Sequence, residues 1–182
     1  SMRAIRVLNG DLINPFDCTH EELGRVDFVH SLSQLNRFTG HVKYPYSVMQ
    51  HSIVLYHHVP QYLRAAALIH DFGEAFFNDV ASPIKAKYLG YKRDEKNLLH
   101  QIAEVFDVSV TLIDEVSAYD KRLYRDESIN LHVNIREKGN GDEREPLGVG
   151  HYWFRERLWR NVRQEGWELM QAEFGRTGKN IL

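Results

Sequence analysis

The stretch "ALIHDFGEAFFNDVASPIK", residues 67–85, sets His70 and Asp71 side by side directly after an apolar run. Glu74 and Asp79 follow within ten residues, and Lys85 closes the segment. Upstream, "YLRAAALIHDF" is apolar enough to run as a helix through the middle of the protein, with Pro60 suited to its first turn and Gly73 to its end. A charged pair buried at the end of such a helix is costly unless something offsets it. The centre of the chain therefore reads as helical, with an unexplained concentration of acid against its apolar core.

The flanking segments extend this helical reading. Ser47 suits the cap of a helix running to about His58, with Met49, Ile53, Val54 and Tyr56 along it. Val26, Val29, Leu32, Leu35 and Phe38 recur every three residues, close to one helix face, before "GHVKYPYS" interrupts. At the other end of the segment, after Pro83, helical patterns cover about 84–89, 92–107 and 109–131. A final helix is expected over 151–175, carrying Trp153, Trp159 and Trp167 as core or interface anchors. The polar run "EKGNGDEREPLG" makes 136–150 a candidate mobile loop. Only residues 1–24 depart from the pattern. Two β-prone runs flank Asn9-Gly10, a tight-turn dipeptide, and Thr19 and Glu22 stand at capping-box spacing. The expected fold is one all-α domain over 1–182, a helical bundle with a small N-terminal β-hairpin.

Composition sets the outer bounds. Of 182 residues, 43% are apolar and 26% charged, ordinary values for a globular protein that builds its own core. A net charge of −2 gives no reason to expect binding to a nucleic acid polymer or an anionic membrane. Cys18 stands alone, which rules out an intramolecular disulfide and a cysteine-based zinc site. No apolar run approaches a membrane span and no basic-then-apolar leader opens the chain, so a cytoplasmic protein is expected. Ten histidines draw attention to possible metal or proton chemistry.

Three short stretches carry that chemistry: "MQHSI" with His51, "IHDFGE" with His70 and Asp71, and "AYDKRL" with Asp120. Each falls on, or at the end of, a different predicted helix. Neighbouring helix residues point ~100° apart, so His70 and Asp71 can converge on one ion only near a helix end or where a third element meets them. Two imidazoles and two carboxylates suit one divalent transition metal, with Mn, Co, Fe, Ni and Zn all compatible. Taken singly, His51 reads better as a surface or hydrogen-bonded histidine than as a ligand, and Asp120 reads better as a solvated helix charge.

The order His51, His70-Asp71, Asp120 resembles the H…HD…D signature of the HD-domain metal-dependent phosphohydrolases. The longer block "HDFGEAFFNDVASPIK" is similar to the HD-x-x-E-x-x-x-x-D-x-x-x-P-x-K pattern of bacterial 5′-deoxynucleotidases and of phage deoxynucleoside triphosphohydrolases. Those families also place an arginine and an aromatic residue ahead of the first ligand, and Arg37-Phe38 stands fourteen residues before His51. The likeness covers about 25–130.

It implies an HD-type helical bundle in which His51, His70, Asp71 and Asp120 hold the metal, with additional Mg accompanying substrate. Glu74 and Asp79 would position or deprotonate water, Arg37 and Lys85 would meet phosphate oxygens, and Phe38 would shape the nucleoside pocket. Many deoxynucleotidases carry tryptophan where Phe38 stands, so base and sugar preference do not transfer. The implied activity is hydrolysis of a deoxynucleotide by water attack on the α-phosphorus, releasing phosphate from a monophosphate or triphosphate from a triphosphate. Lys85, Lys87, Lys121 and Arg122 are the cations available to a longer polyphosphate. Alternatives are an HD phosphodiesterase acting on another nucleotide and a non-catalytic metal- or nucleotide-binding module. The resemblance further implies a homo-oligomer, a dimer or larger, in the cytoplasm, which is the host's if the chain is phage-encoded.

Overall fold

The computed structural model describes residues 3–135 and 144–180. The hairpin forms where Asn9-Gly10 places it. Strand β1 (Ile5–Arg6) pairs antiparallel with β2 (Leu12–Ile13), and Ile5 stands opposite Ile13. The Asp11 amide donates to the Asn9 side chain at 2.9 Å, so the turn satisfies its own backbone. Ile13 is fully buried and fastens the hairpin to the helices. Helix α1 (His20–Gly24) opens with the expected reciprocal capping box between Thr19 and Glu22.

Two long-range constraints then override local periodicity. The spacing from Val26 to Phe38 predicts one helix, but α2 spans only Phe28–Leu32. Ser33 Oγ donates to the Val29 carbonyl at 2.7 Å, and the chain beyond it turns extended. There the Arg37 amide donates to Tyr46 O and the Val48 amide to Leu35 O, both at 2.8 Å. Pairing across 35–37 and 46–48 takes the hydrogen bonds that a longer helix would have used. Ser47 then caps α3 (Val48–Tyr56) as its sequence suggests, by accepting from the Gln50 amide. All nine residues of α3 are buried.

The second override falls in the central stretch itself. A 3-10 turn at Gln61–Leu63 leads into α4 (Arg64–Ile69), which stops three residues short of the end expected at Gly73. Phe72 N donates to Ile69 O and Glu74 N to Asp71 O, making a tight turn, and Gly73 opens α5 (Glu74–Phe77) with helical backbone. Helices α6 (Ser82–Lys87), α7 (Tyr91–Val105) and α8 (Val110–Leu131) match the expected segments closely.

The final helix is shorter than expected. A 3-10 turn at His151–Phe154 and an extended link precede α9 (Trp159–Phe174). Trp153 therefore sits in the turn, with ring centroids 5.1 Å from His57 and 4.9 Å from His58. Trp167 is buried on α9 and donates its indole N–H to Asp27 at 3.0 Å, the satisfied anchor its sequence position suggested. Of the expected mobile loop, 136–143 lie outside the described residues, and 144–150 carry no regular secondary structure. No helix among the described residues is long and apolar enough to cross a membrane.

Helices α2, α4, α8 and α9 surround α3, so the central helix sits in the core and its side chains have one rotamer space. The closest approach is at Gly166 of α9. A Cβ built there would stand 2.7 Å from Val29 Cγ1 and 3.3 Å from Met49 Cγ, both on fully buried residues. Gly166→Ala is expected to destabilise the fold by about 1–3 kcal/mol, as overpacking does. Urea unfolding of the variant against the wild type measures it, and an unchanged midpoint would disprove the close packing.

Candidate metal centre

Each predicted ligand comes from a different kind of position. His51 lies mid-helix on α3 and is fully buried. His70 follows the last residue of α4, and Asp71 lies beyond the helix, so the ~100° separation of helix neighbours no longer divides them. Asp120 projects from α8. Nε2 of His51 lies 3.3 Å from Nε2 of His70 and 2.7 Å from Asp120 Oδ1. Nε2 of His70 lies 3.4 Å from the same Asp120 oxygen. His51, His70 and Asp120 form a group that could hold a metal ion. Asp71 Oδ2 joins them, 3.1 Å from His70 Nε2 and 3.5 Å from His51 Nε2.

The other ring nitrogens decide what these contacts are. His70 Nδ1 lies 2.6 Å from the carbonyl of Ala67, which only accepts, so Nδ1 carries the proton. His51 Nδ1 lies 2.7 Å from Glu127 Oε2, a fully buried carboxylate, and donates to it. In the neutral rings both Nε2 atoms therefore present lone pairs to each other and to two carboxylates. Asp120 Oδ1, though 2.7 Å from His51 Nε2, is buried with no well-formed hydrogen bond. Four acceptors around one point repel unless a cation or protons sit among them.

The ionisation of the histidines says the same. Burial and the Arg37 guanidinium oppose a charge on His51, yet Glu127 and Asp120 outweigh them and push it up to about 9. Burial likewise opposes a charge on His70, and Asp71 and Asp120 raise it well above the usual imidazole range. The donor set fits a divalent cation of borderline softness.

Glu127 is the residue that sequence reasoning missed. It accepts from His51 on one oxygen and from Arg37 Nη2 at 2.8 Å on the other. It thereby orients the His51 ring and fixes its tautomer. Its position seven residues after Asp120, on the same face of α8, was the available signal. Arg37, predicted to meet phosphate, is thus committed to Glu127, with Nη1 3.9 Å from Asp79, while still lining the cleft.

That cleft, about 610 Å³, opens beside the cluster and is lined by Asp71 and Asp120 together with all five remaining predicted site residues: Arg37, Phe38, Glu74, Asp79 and Lys85. Glu74 is buried with Oε2 unpartnered. Burial first, then Asp71 and Asp79, raise its pKa well above the ordinary carboxylate value. Lys85 pairs with Glu95 at 2.9 Å. Phe38 packs against Tyr124 at 5.5 Å between centroids and edge-on against His132 at 5.0 Å, so His132 supports the cleft wall. Lys121, Tyr124 and Arg144 complete the far side, and Lys87 and Arg122 do not reach it.

No family model matches the chain. Over 80 residues it is 39% identical to the protein named "Uncharacterized protein YfdR" of Escherichia coli (strain K12). The matched region makes up 44% of this chain and 45% of that protein, so the chain covers just under half the length of that relative.

Replacing Glu127 by Gln keeps the shape but weakens the acceptor behind His51. Mn²⁺ or Co²⁺ affinity, followed by titration calorimetry, is expected to fall about 10–100-fold. Unchanged affinity would show that Glu127 serves only Arg37.

Proposed function

We propose that this chain is an HD-type, metal-dependent phosphohydrolase that attacks the α-phosphorus of a deoxynucleotide with water. The observation that carries this reading is the convergence of two imidazole nitrogens and two carboxylates, each acceptor facing the others, at the wall of a cleft that also holds a buried, unpartnered Glu74.

His51, His70, Asp71 and Asp120 would hold one divalent ion, Mn, Co, Fe, Ni or Zn. Such an ion polarises a phosphoryl oxygen and lowers the pKa of bound water towards ~7. The chain's own residues supply the rest. Glu74, a buried carboxylate on the cleft wall with one oxygen unpartnered, is suited to take the proton of the attacking water. Asp79 faces the same space and helps hold that water, while Arg37 stays charged between Asp79 and Glu127. Lys85 brings a positive point charge to the wall where phosphate oxygens would lie. Phe38 and Tyr124 form an aromatic surface against which a nucleoside could pack.

Incubation with dAMP or dATP and each of the five metals, reading phosphate and triphosphate release, tests the proposal. Turnover is expected, and chelation should abolish it. Glu74→Gln should lower kcat about 10²–10⁴-fold while the protein still binds metal. Absence of turnover of either nucleotide with every metal would overturn the reading.

A further inference from the structure

Arg144 belongs to a stretch with no regular secondary structure, yet it lines the same cleft as the acids. What brings it there is Asp126. That buried carboxylate accepts three successive backbone N–H groups, from Leu147 at 2.6 Å and from Gly148 and Val149 at 3.0 Å each. Gly148 has φ +90°, the left-handed conformation that lets consecutive amides point at one anion. The guanidinium of Arg122 adds a bond to the Pro146 carbonyl at 3.3 Å, and the Leu147 amide donates to the Arg122 carbonyl at 3.3 Å. The segment is thus tied to α8 along its length.

The tether sets a position as well as a contact. Cζ of Arg144 sits 4.8 Å from the ring centroid of Tyr124. Tyr124 follows Asp120 by four residues on α8, so it is the neighbour one turn along the same face. Arg144 therefore stands about one helical turn beyond the candidate metal cluster, beside Lys121.

We infer that Arg144, held on Tyr124 by the Asp126 tether, contacts phosphoryl groups beyond the one that is hydrolysed and makes the site selective for a nucleoside triphosphate over a monophosphate. The inference rests on the proposed function only in taking the cleft to bind a phosphate ester. An arginine suits this task because its planar fork can hold two phosphate oxygens at once, and Lys121 adds a point charge.

The test is equilibrium binding of dATP and of dAMP to the Mn²⁺-loaded full chain in a Glu74→Gln background, alongside turnover of both by the chain with Glu74 intact. Arg144→Ala is expected to weaken dATP about tenfold or more and to leave dAMP within about twofold. Arg144→Lys should restore only part, and Asp126→Asn should shift dATP in the same direction by loosening the tether. Equal weakening of both nucleotides, no effect on either, or no dATP binding before Arg144 is changed would each overturn the inference. Selective dATP binding that Arg144→Ala abolishes, in a protein whose Glu74-intact form turns over neither nucleotide, would uphold the inference while removing the hydrolase reading.

Discussion

One constraint governs the rest of the structure: four acceptor atoms from three helical regions point at a single location. Nε2 of His51 and Nε2 of His70 lie 3.3 Å apart, and each approaches the carboxylates of Asp71 and Asp120 at 2.7–3.5 Å. With the outer nitrogens already donating to Glu127 and to Ala67 O, nothing within the cluster can donate to anything else. Positive charge offsets the arrangement, and the neighbouring carboxylates accordingly raise the basicity of both histidines. A cation held there would compete with protons for the same side chains.

The packing explains how such an arrangement survives in a core. His51 sits in the middle of α3, a helix buried on every side, so its ring has little freedom before any ligand arrives. Glu127 removes what remains by taking its Nδ1–H, and Arg37 neutralises Glu127 in turn. The fully buried acid is thereby paired on both oxygens, which is what keeps an ionised carboxylate tolerable away from water. On the opposite side α4 ends at Ile69, and the tight turn that follows lets Asp71 reach the cluster while Glu74 returns to the cleft on α5.

Much of this was legible in the sequence because it is local. The turn at Asn9-Gly10, the caps at Thr19 and Ser47, and the extents of α7 and α8 follow from a few adjacent residues. Of the residues predicted as ligands, His51, His70 and Asp120 come within reach of one another and Asp71 lies against both histidines. What was hidden depends on distant partners. The periodicity from Val26 to Phe38 predicts a helix, but Leu35 and Arg37 find backbone partners at Val48 and Tyr46 and leave it. Gly73 looked like a helix stop, yet the stop is set by the turn at Asp71. The three tryptophans divide between a 3-10 turn and α9. Glu127 was readable only once the face of α8 carrying Asp120 was known to look inward. Arg144 had no local signal, because the carboxylate that places it lies eighteen residues earlier on another element.

Backbone strain is also found beside the cleft. Phe38, Thr39 and Asn78 have φ of 57°, 51° and 63°, and Asn78 combines this with ψ of 168°, a region that side chains other than glycine rarely enter. Each such residue costs about 1–3 kcal/mol and persists only where its surroundings leave it no alternative. Those surroundings are visible. Arg37, immediately before Phe38, is fixed by its pair with Glu127 and by its amide bond to Tyr46 O. Asn78 donates its amide to Glu74 O and turns the chain so that Asp79 faces the cleft. Phe38 and Thr39 thus line the cleft and Asn78 adjoins it through Asp79, three of the five non-glycine residues with positive φ among the described residues.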